Sequence, residues 1–159
     1  MLNESKILVL GLGNDLLADD AVGLLAVREL KKQQISDVEI VETAEHGMAL
    51  LDYFIGFDSA ILVDAIQTNS VPVGTIHEMD ESDLSEVFAP SPHFSGLPEM
   101  IHIAREMQLD FPQRFKIFAI EVEDVLTLGG KISPKVRDAI ARVQPKIARQ
   151  IRLWKEDLS

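Results

Sequence analysis

Short apolar runs alternate along this chain with segments in which apolar residues recur at every third or fourth position. The apolar runs predict five strands, at residues 6–11, 38–42, 59–65, 75–79 and 114–122. The periodic segments predict helices at residues 21–34, 46–56, 98–109 and from Ser133 onward, with a helical turn near residues 82–88. Strands that alternate with helices indicate an α/β fold, in which helices cover both faces of one sheet.

The spacing of these elements refines the predicted fold. We expect a three-layer α/β sandwich with a twisted, mostly parallel five-stranded sheet and one antiparallel strand. The fourth strand should run antiparallel to the third, because the turn at residues 69–74 is too short for a helical crossover. Pro145 lies within the last helical stripe and is expected to kink or split that helix. A length of 159 residues favours a single domain, residues 1–159.

Composition and charge narrow the classes of partner. A net charge of −11 repels nucleic acid and anionic membranes, so neither is an expected partner. The chain has no cysteine, which excludes disulfides, a thiolate nucleophile and thiolate metal ligands. It shows neither a secretory signal pattern nor a membrane-spanning apolar run. We therefore expect a monomeric cytoplasmic protein.

The segment GLGNDLLADDAVG, residues 11–23, joins the first strand to the first helix. Gly11 and Gly13 fit the start of the dinucleotide motif G-x-G-x-x-G, but the third glycine position holds Leu16. The Gly-Lys-Ser/Thr sequence of a P-loop is also missing, and the acidic residues would repel phosphate. The segment is therefore predicted to form an acidic turn, in which Gly11, Gly13 and Asn14 shape the backbone.

Two acids in this turn have a structural interpretation beside the functional one. Asp20 precedes the predicted first helix and is a favoured N-cap residue type, and Asp19 is an equally good candidate for the cap.

Asp64 ends the apolar run AILV on a predicted central strand. A charge there must be paired, hydrogen-bonded or placed at the open end of the sheet, where α/β folds bind ligands. Asp64 is therefore a candidate site residue.

One histidine completes a candidate ligand set. His93 lies in the proline-rich loop APSPHFSGLP, which is stiff enough to hold an imidazole in place, and His46 is the second choice. Two carboxylates and an imidazole, from Asp20, Asp64 and His93, suit nickel, zinc, iron or manganese. The residues alone thus predict an acidic, metal-binding site at the carboxyl edge of the sheet.

Three stretches give the chain a family resemblance. The sequence ILVLGLGNDLLADDAVG, then ILVDAI, then SPH before an apolar helix, resembles the hydrogenase maturation endopeptidases over about the whole chain. The first acid is commonly glutamate in that family and is Asp20 here. Many members carry a Gly-Gly-Thr-like stretch after the second strand, where this chain has TAEHGM, residues 43–48.

The resemblance implies an activity and a set of roles. Such enzymes cleave a C-terminal extension from the large-subunit precursor of nickel–iron hydrogenase after nickel insertion. The nickel belongs to the substrate, although other divalent metals can occupy the site in vitro. The resemblance implies that Asp20, Asp64 and His93 recognise this nickel. It also implies that Asp20 and Asp64 are the catalytic acids of an aspartic-type or metal-assisted peptidase. Asp19, Asn14 and His46 become candidates for substrate contact.

Two alternatives remain at this point. A metallochaperone or nickel-site sensor would use the same ligands without cutting. Peptidyl-tRNA hydrolases also open with GLGN, but their turn continues with Pro-Gly, whereas this chain reads DLLADDAVG. The net charge of −11 further disfavours a tRNA substrate.

Overall fold

A twisted sheet forms the centre of the computed structural model, which describes residues 5–85, 94, 96–123 and 126–157. Within these residues the strands follow the spatial order β2-β1-β3-β5-β4. Their bounds are Ile7–Leu12 (β1), Val38–Thr43 (β2), Ser59–Ile66 (β3), Ile76–Asp80 (β4) and Arg114–Glu121 (β5). All neighbouring pairs are parallel except β4 with β5. The predicted five-stranded, mostly parallel sheet is confirmed.

Helices cover both faces of this sheet and give the predicted three layers. The α-helices are Val22–Lys31 (α1), Leu51–Phe54 (α2), Leu97–Glu106 (α3) and Pro134–Glu156 (α4). Short 3₁₀ helices span Ala18–Ala21, Gly47–Leu50 and Glu81–Ser85. Alternate strand residues pack with α1 and α4 on one face and with α2 and α3 on the other. In the described part of the chain, no helix combines the length and apolarity needed to cross a membrane.

The fourth strand has the predicted direction, and its neighbour is the last strand of the sheet. β4 pairs antiparallel with β5, from Ile76 opposite Ile120 to Asp80 opposite Lys116. Because β5 lies parallel to β3, β4 also runs antiparallel to β3, as predicted. β5 therefore lies between β3 and β4, which makes it an internal strand.

Pro145 does not split the last helix, so this alternative of the sequence prediction is wrong. Helix α4 runs from Pro134 to Glu156 with Pro145 inside it. An internal proline costs a helix roughly 3 kcal/mol. The apolar stripe of α4, which includes Val143 and Ile147 on either side of Pro145, is buried against the sheet. Burying each such side chain contributes roughly 1.5–3 kcal/mol, which outweighs the cost of one proline.

Candidate functional site

The acidic turn leaves β1 at the carboxyl edge of the sheet and is held by backbone contacts. The Gly13 N–H donates to the Thr43 carbonyl at 3.2 Å, which ties the turn to the end of β2. The side-chain oxygen of Asn14 accepts from the Leu16 N–H at 2.9 Å, and its carbonyl accepts from the Leu17 N–H at 3.1 Å. The Asn14 side chain thus stabilises the turn in the manner of an Asx turn.

Both acids of the pair lie inside the 3₁₀ helix Ala18–Ala21, and neither is the N-cap of α1. The N-cap residue is Ala21, and no side chain makes a capping hydrogen bond there. The 3₁₀ helix Ala18–Ala21 runs directly into α1, so the position before α1 is occupied by Ala21 rather than by Asp19 or Asp20. The capping predictions for Asp20 and Asp19 are therefore wrong.

Glycines bring this pair close to the central strand. A Cβ on Gly13 would lie 2.4 Å from the Asp20 carbonyl oxygen, so the turn packs directly on Asp20. A Cβ on Gly23 would lie 2.5 Å from the Val63 carbonyl oxygen and 3.2 Å from the Asp64 Cα. The start of α1 consequently rests on β3 at Asp64. In the dinucleotide motif, the third glycine lets the helix pack closely on the strand, but this chain has Leu16 at that position. Gly23 allows the close packing of helix on strand instead.

Three aspartates are buried at this edge, with exposed fractions of 1% for Asp19, 3% for Asp20 and 0% for Asp64. The Asp64 Oδ1 accepts from the N–H of the next residue, Ala65, at 2.7 Å. β3 continues to Ile66, so Asp64 lies two residues before the end of the strand rather than at it. Buried carboxylates are costly unless they are hydrogen-bonded or serve a site, which makes these acids the leading functional candidates.

The histidine part of the predicted site has a different outcome. His93 lies outside the described residues, so its role stays a prediction. His46 follows β2 at the same edge of the sheet and is exposed, directly before the 3₁₀ helix Gly47–Leu50. Among the described residues, no group of three or more His, Cys, Asp or Glu side chains is arranged to hold a metal ion.

Asp19 connects the acidic turn to the segment that leads into α4. Its Oδ1 accepts from the Ser133 N–H at 3.0 Å, and its Oδ2 accepts from the Ser133 hydroxyl at 3.3 Å. The Oδ2 also accepts from the Glu123 N–H at 3.4 Å. Asp19 therefore holds residues separated from it by more than 100 positions, a role that its local sequence does not reveal.

A further buried acid, Glu121, was missed by the sequence interpretation. It ends β5 beside Ile66 of β3, on the same face as Asp64. Its carboxylate accepts from the Thr68 N–H at 2.8 Å and hydroxyl at 2.5 Å, and from the Asn69 N–H at 3.3 Å. The His77 Nε2 lies 3.1 Å away. The signal was present, because Glu121 ends an apolar run as Asp64 does.

These contacts set the charge state of Glu121. Burial by itself raises the pKa of the carboxyl, but the hydrogen bonds from Thr68, His77 and Asn69 outweigh burial. The pKa consequently lies below the ordinary value of 4.5. Because folding lowers the pKa of this carboxyl, its ionised form stabilises the protein at pH values above the pKa that the group has in the unfolded chain. This contribution is lost as the pH falls through the pKa that the group has in the folded protein.

We expect the Glu121→Gln variant to be less stable than the native chain at pH 7, by about 1–3 kcal/mol. If the glutamine oxygen replaces Oε2, it keeps the N–H donors of Thr68 and Asn69, but its NH₂ group then faces the Thr68 hydroxyl and His77, which Oε1 contacts in the native chain. The difference should shrink as the pH falls below 4.5 and through the lower folded-state pKa, because the carboxyl of the unfolded chain takes up its proton first. Urea unfolding of both proteins at several pH values measures this, with the exposed Glu99→Gln as control. A stability difference that does not change with pH would contradict it.

A paired arginine fixes the outer side of the acidic turn. The Arg28 guanidinium donates to the Asp15 carboxylate at 2.7 and 3.1 Å and to the Glu42 carboxylate at 2.7 to 3.2 Å. The hydrogen bonds from Arg28 hold the pKa of Glu42 below its ordinary value. Arg28 thus links α1, the turn and β2, and it neutralises the charge of two exposed carboxylates.

Known proteins resemble this chain in sequence. The family model described as hydrogenase maturation protease (HycI) matches residues 24–150. The hydrogenase 2 maturation protease of Escherichia coli K12 is 29% identical over 150 residues, which cover 87% of this chain and 91% of that protein. HupD of Thiocapsa roseopersicina, a hydrogenase expression/formation protein, is 26% identical. The match covers 88% of this chain and 65% of HupD, so this chain spans slightly less than two thirds of that relative.

Solved structures agree with the fold. The hydrogenase maturating endopeptidase HybD from E. coli superposes with a TM-score of 0.77 at 27% identity, covering 92% of each chain. The nickel–iron hydrogenase maturation protease HycI from Thermococcus kodakarensis gives a TM-score of 0.68 at 25% identity, covering 91% of each chain. The similarity therefore spans about nine tenths of the chain.

Proposed function

Since the chain belongs to the hydrogenase maturation protease family, a family of peptidases, we propose that it removes a C-terminal extension from a nickel–iron hydrogenase large-subunit precursor. The cut follows nickel insertion, and nickel in the precursor is what the enzyme recognises. One observation supports this most directly. Close contacts at Gly13 and Gly23 bring the segments of Asp20 and Asp64, both buried, to one edge of the sheet.

Nickel enters this proposal as part of the substrate. Asp20, Asp64 and His93 offer oxygen and nitrogen ligands of the kind that nickel accepts. The chain has no cysteine, so it has no thiolate with which to remove a metal from the thiolates of the precursor. Contact with the nickel places the scissile peptide bond at the carboxylates, and a precursor without nickel loses this positioning.

The chemistry is hydrolysis with carboxylate assistance. One aspartate accepts a proton from water, whose oxygen attacks the carbonyl carbon of the scissile bond. The C–N bond then breaks, and the same carboxyl group returns the proton to the departing amine. Asp20 and Asp64 are both candidates for this role. Both are buried in the chain alone, so binding of the precursor must expose them.

The test compares precursor with and without nickel. We expect the purified chain to release a C-terminal peptide from the nickel-loaded precursor and to leave the nickel-free form intact, as followed by mass spectrometry. The precursor incubated without the chain serves as the control.

Three other outcomes would contradict the proposal. Binding of the loaded precursor without any loss of mass would identify a sensor of the nickel site. Removal of nickel from the precursor would identify a metal carrier. Equal cleavage of both forms would show that nickel is not what the chain recognises.

A further inference from the structure

The acidic turn is paired with the segment that follows β5. The Ala18 N–H donates to the Thr127 carbonyl at 2.9 Å, and the Gly129 N–H donates to the Leu16 carbonyl at 3.0 Å. Leu17 and Leu128 form an antiparallel bridge between these bonds. We name the two paired segments, residues 16–18 and 126–129, the leucine ribbon.

Apolar side chains on this ribbon are unusually exposed. Leu126, Leu128 and Leu16 have exposed fractions of 82%, 75% and 68%. These are the three highest values of any large apolar side chain in the part of the chain that the structure describes. Single exposed leucines are common, but several on one short paired element mark an interaction surface.

The ribbon is continuous with the candidate active site. Asp20 directly follows Ala18 and Asp19 at one end of the ribbon. The Asp19 carboxylate bonds to Glu123 and Ser133, which lie on either side of the second ribbon segment. A partner that covers the leucines is therefore held beside the buried aspartates.

We propose that the leucine ribbon docks the folded hydrogenase large-subunit precursor, by inserting its leucines into an apolar groove on that protein. This rests on the proposed function. Side chains exposed to this extent protrude rather than line a cleft, so the complementary surface is concave and apolar. The contact brings binding energy from outside the scissile bond, and it orients the precursor before its nickel reaches the carboxylates.

The test uses the full chain with the double substitution Leu16→Ser and Leu128→Ser. The ribbon pairs through main-chain groups, so serine leaves its hydrogen bonds in place. The contacts of the leucines with the precursor should be equally strong in the enzyme–precursor complex and in the transition state. Their loss therefore raises KM and leaves kcat unchanged. We expect KM for the nickel-loaded precursor to rise about ten- to hundredfold. The double substitution to methionine keeps both side chains apolar and should restore a KM near the native value.

The matched control is Met107→Ser, because Met107 is 65% exposed at the C-terminal end of α3, which precedes the start of β5, whereas the second ribbon segment follows the end of β5. Circular dichroism and thermal melting confirm that each variant is folded. If the native chain cuts the precursor and the serine variant has the KM of this control, the docking proposal is wrong and the proposed function stands. If the native chain does not cut the precursor, the proposed function fails and docking fails with it.

A second copy of the chain is the competing occupant of the ribbon. Sedimentation of the native chain and of the serine variant distinguishes it from the precursor. A native dimer that the serine substitutions convert to a monomer, with no change in KM, would assign the ribbon to self-association and overturn the proposal. A native chain that stays monomeric, together with the raised KM of the variant, supports docking of the precursor.

Discussion

Asparagine in place of Asp64 is expected to lower the rate of precursor cleavage by about 10²- to 10⁴-fold, the range typical of a lost general acid or base. Asparagine has nearly the same shape and keeps a carbonyl oxygen for the Ala65 N–H, which donates to the Asp64 Oδ1 at 2.7 Å. It cannot take a proton from water, and it is a poorer ligand for a cation. Asp20→Asn should have an effect of similar size for the same reasons.

Mass spectrometry of the nickel-loaded precursor over time measures these rates. Thermal melting of each variant separates a loss of chemistry from a loss of fold. The control is Asp157→Asn, an exposed aspartate at the end of α4 that lies 3.4 Å from Arg114. The site is wrongly assigned if Asp20→Asn and Asp64→Asn both cut as fast as this control.

Asp19 offers a contrast within the same turn. Both of its oxygens accept hydrogen bonds, from Ser133 and Glu123. An asparagine there would turn an NH₂ group toward at least one of these donors, so Asp19→Asn should lower the free energy of unfolding by about 1–3 kcal/mol. Asp19 and Asp20 are adjacent and both buried, but their substitutions should differ in effect. Asp19→Asn is expected to lower stability, whereas Asp20→Asn is expected to lower the rate of cleavage.

Alanine in place of Gly23 is expected to destabilise the protein by about 1–3 kcal/mol or more, as overpacking of a core does. The added Cβ would lie 2.2 Å from the Leu12 carbonyl oxygen and 2.5 Å from the Val63 carbonyl oxygen. Both are strand backbone atoms, which cannot move without disturbing the centre of the sheet. The start of α1 must then shift away from Asp64, so cleavage should also slow.

The sign of this effect makes the test sharp. Gly23 lies within α1, where helix propensity alone predicts that alanine stabilises by up to about 1 kcal/mol. Urea unfolding gives the free energy of unfolding for the native chain and the variant. A variant as stable as the native chain, or more stable, would show that the helix does not approach β3 this closely.

The strands and helices were predictable because their signals are local. Apolar runs such as the one ending at Asp64 mark buried strands, and apolar positions at steps of three or four mark helices. For Pro145, local propensity predicts a kinked or split helix, and the split is wrong. The stripe on both sides of Pro145 is packed against the sheet, and a local rule does not include the energy of this packing.

The site was predictable in part. The rule that an acid ending an apolar run is a candidate site residue selected Asp64, and it applied equally to Glu121, which was overlooked; the structure buries both. The roles of Asp19 and Asp20 could not be separated in the sequence, because the residues that bond to Asp19 are more than 100 positions away. The same holds for the leucine ribbon, whose two segments meet only in the folded chain.

Residue type and local spacing suffice to predict the alternation of strands and helices, the acidic character of the first turn and the lack of thiolate ligands. Only the folded chain shows that β5 separates β3 from β4, that Gly23 lets α1 rest on Asp64, and that Asp19 serves as an anchor. Close packing and long-range hydrogen bonds join segments distant in the chain, and no local pattern records which ones will meet.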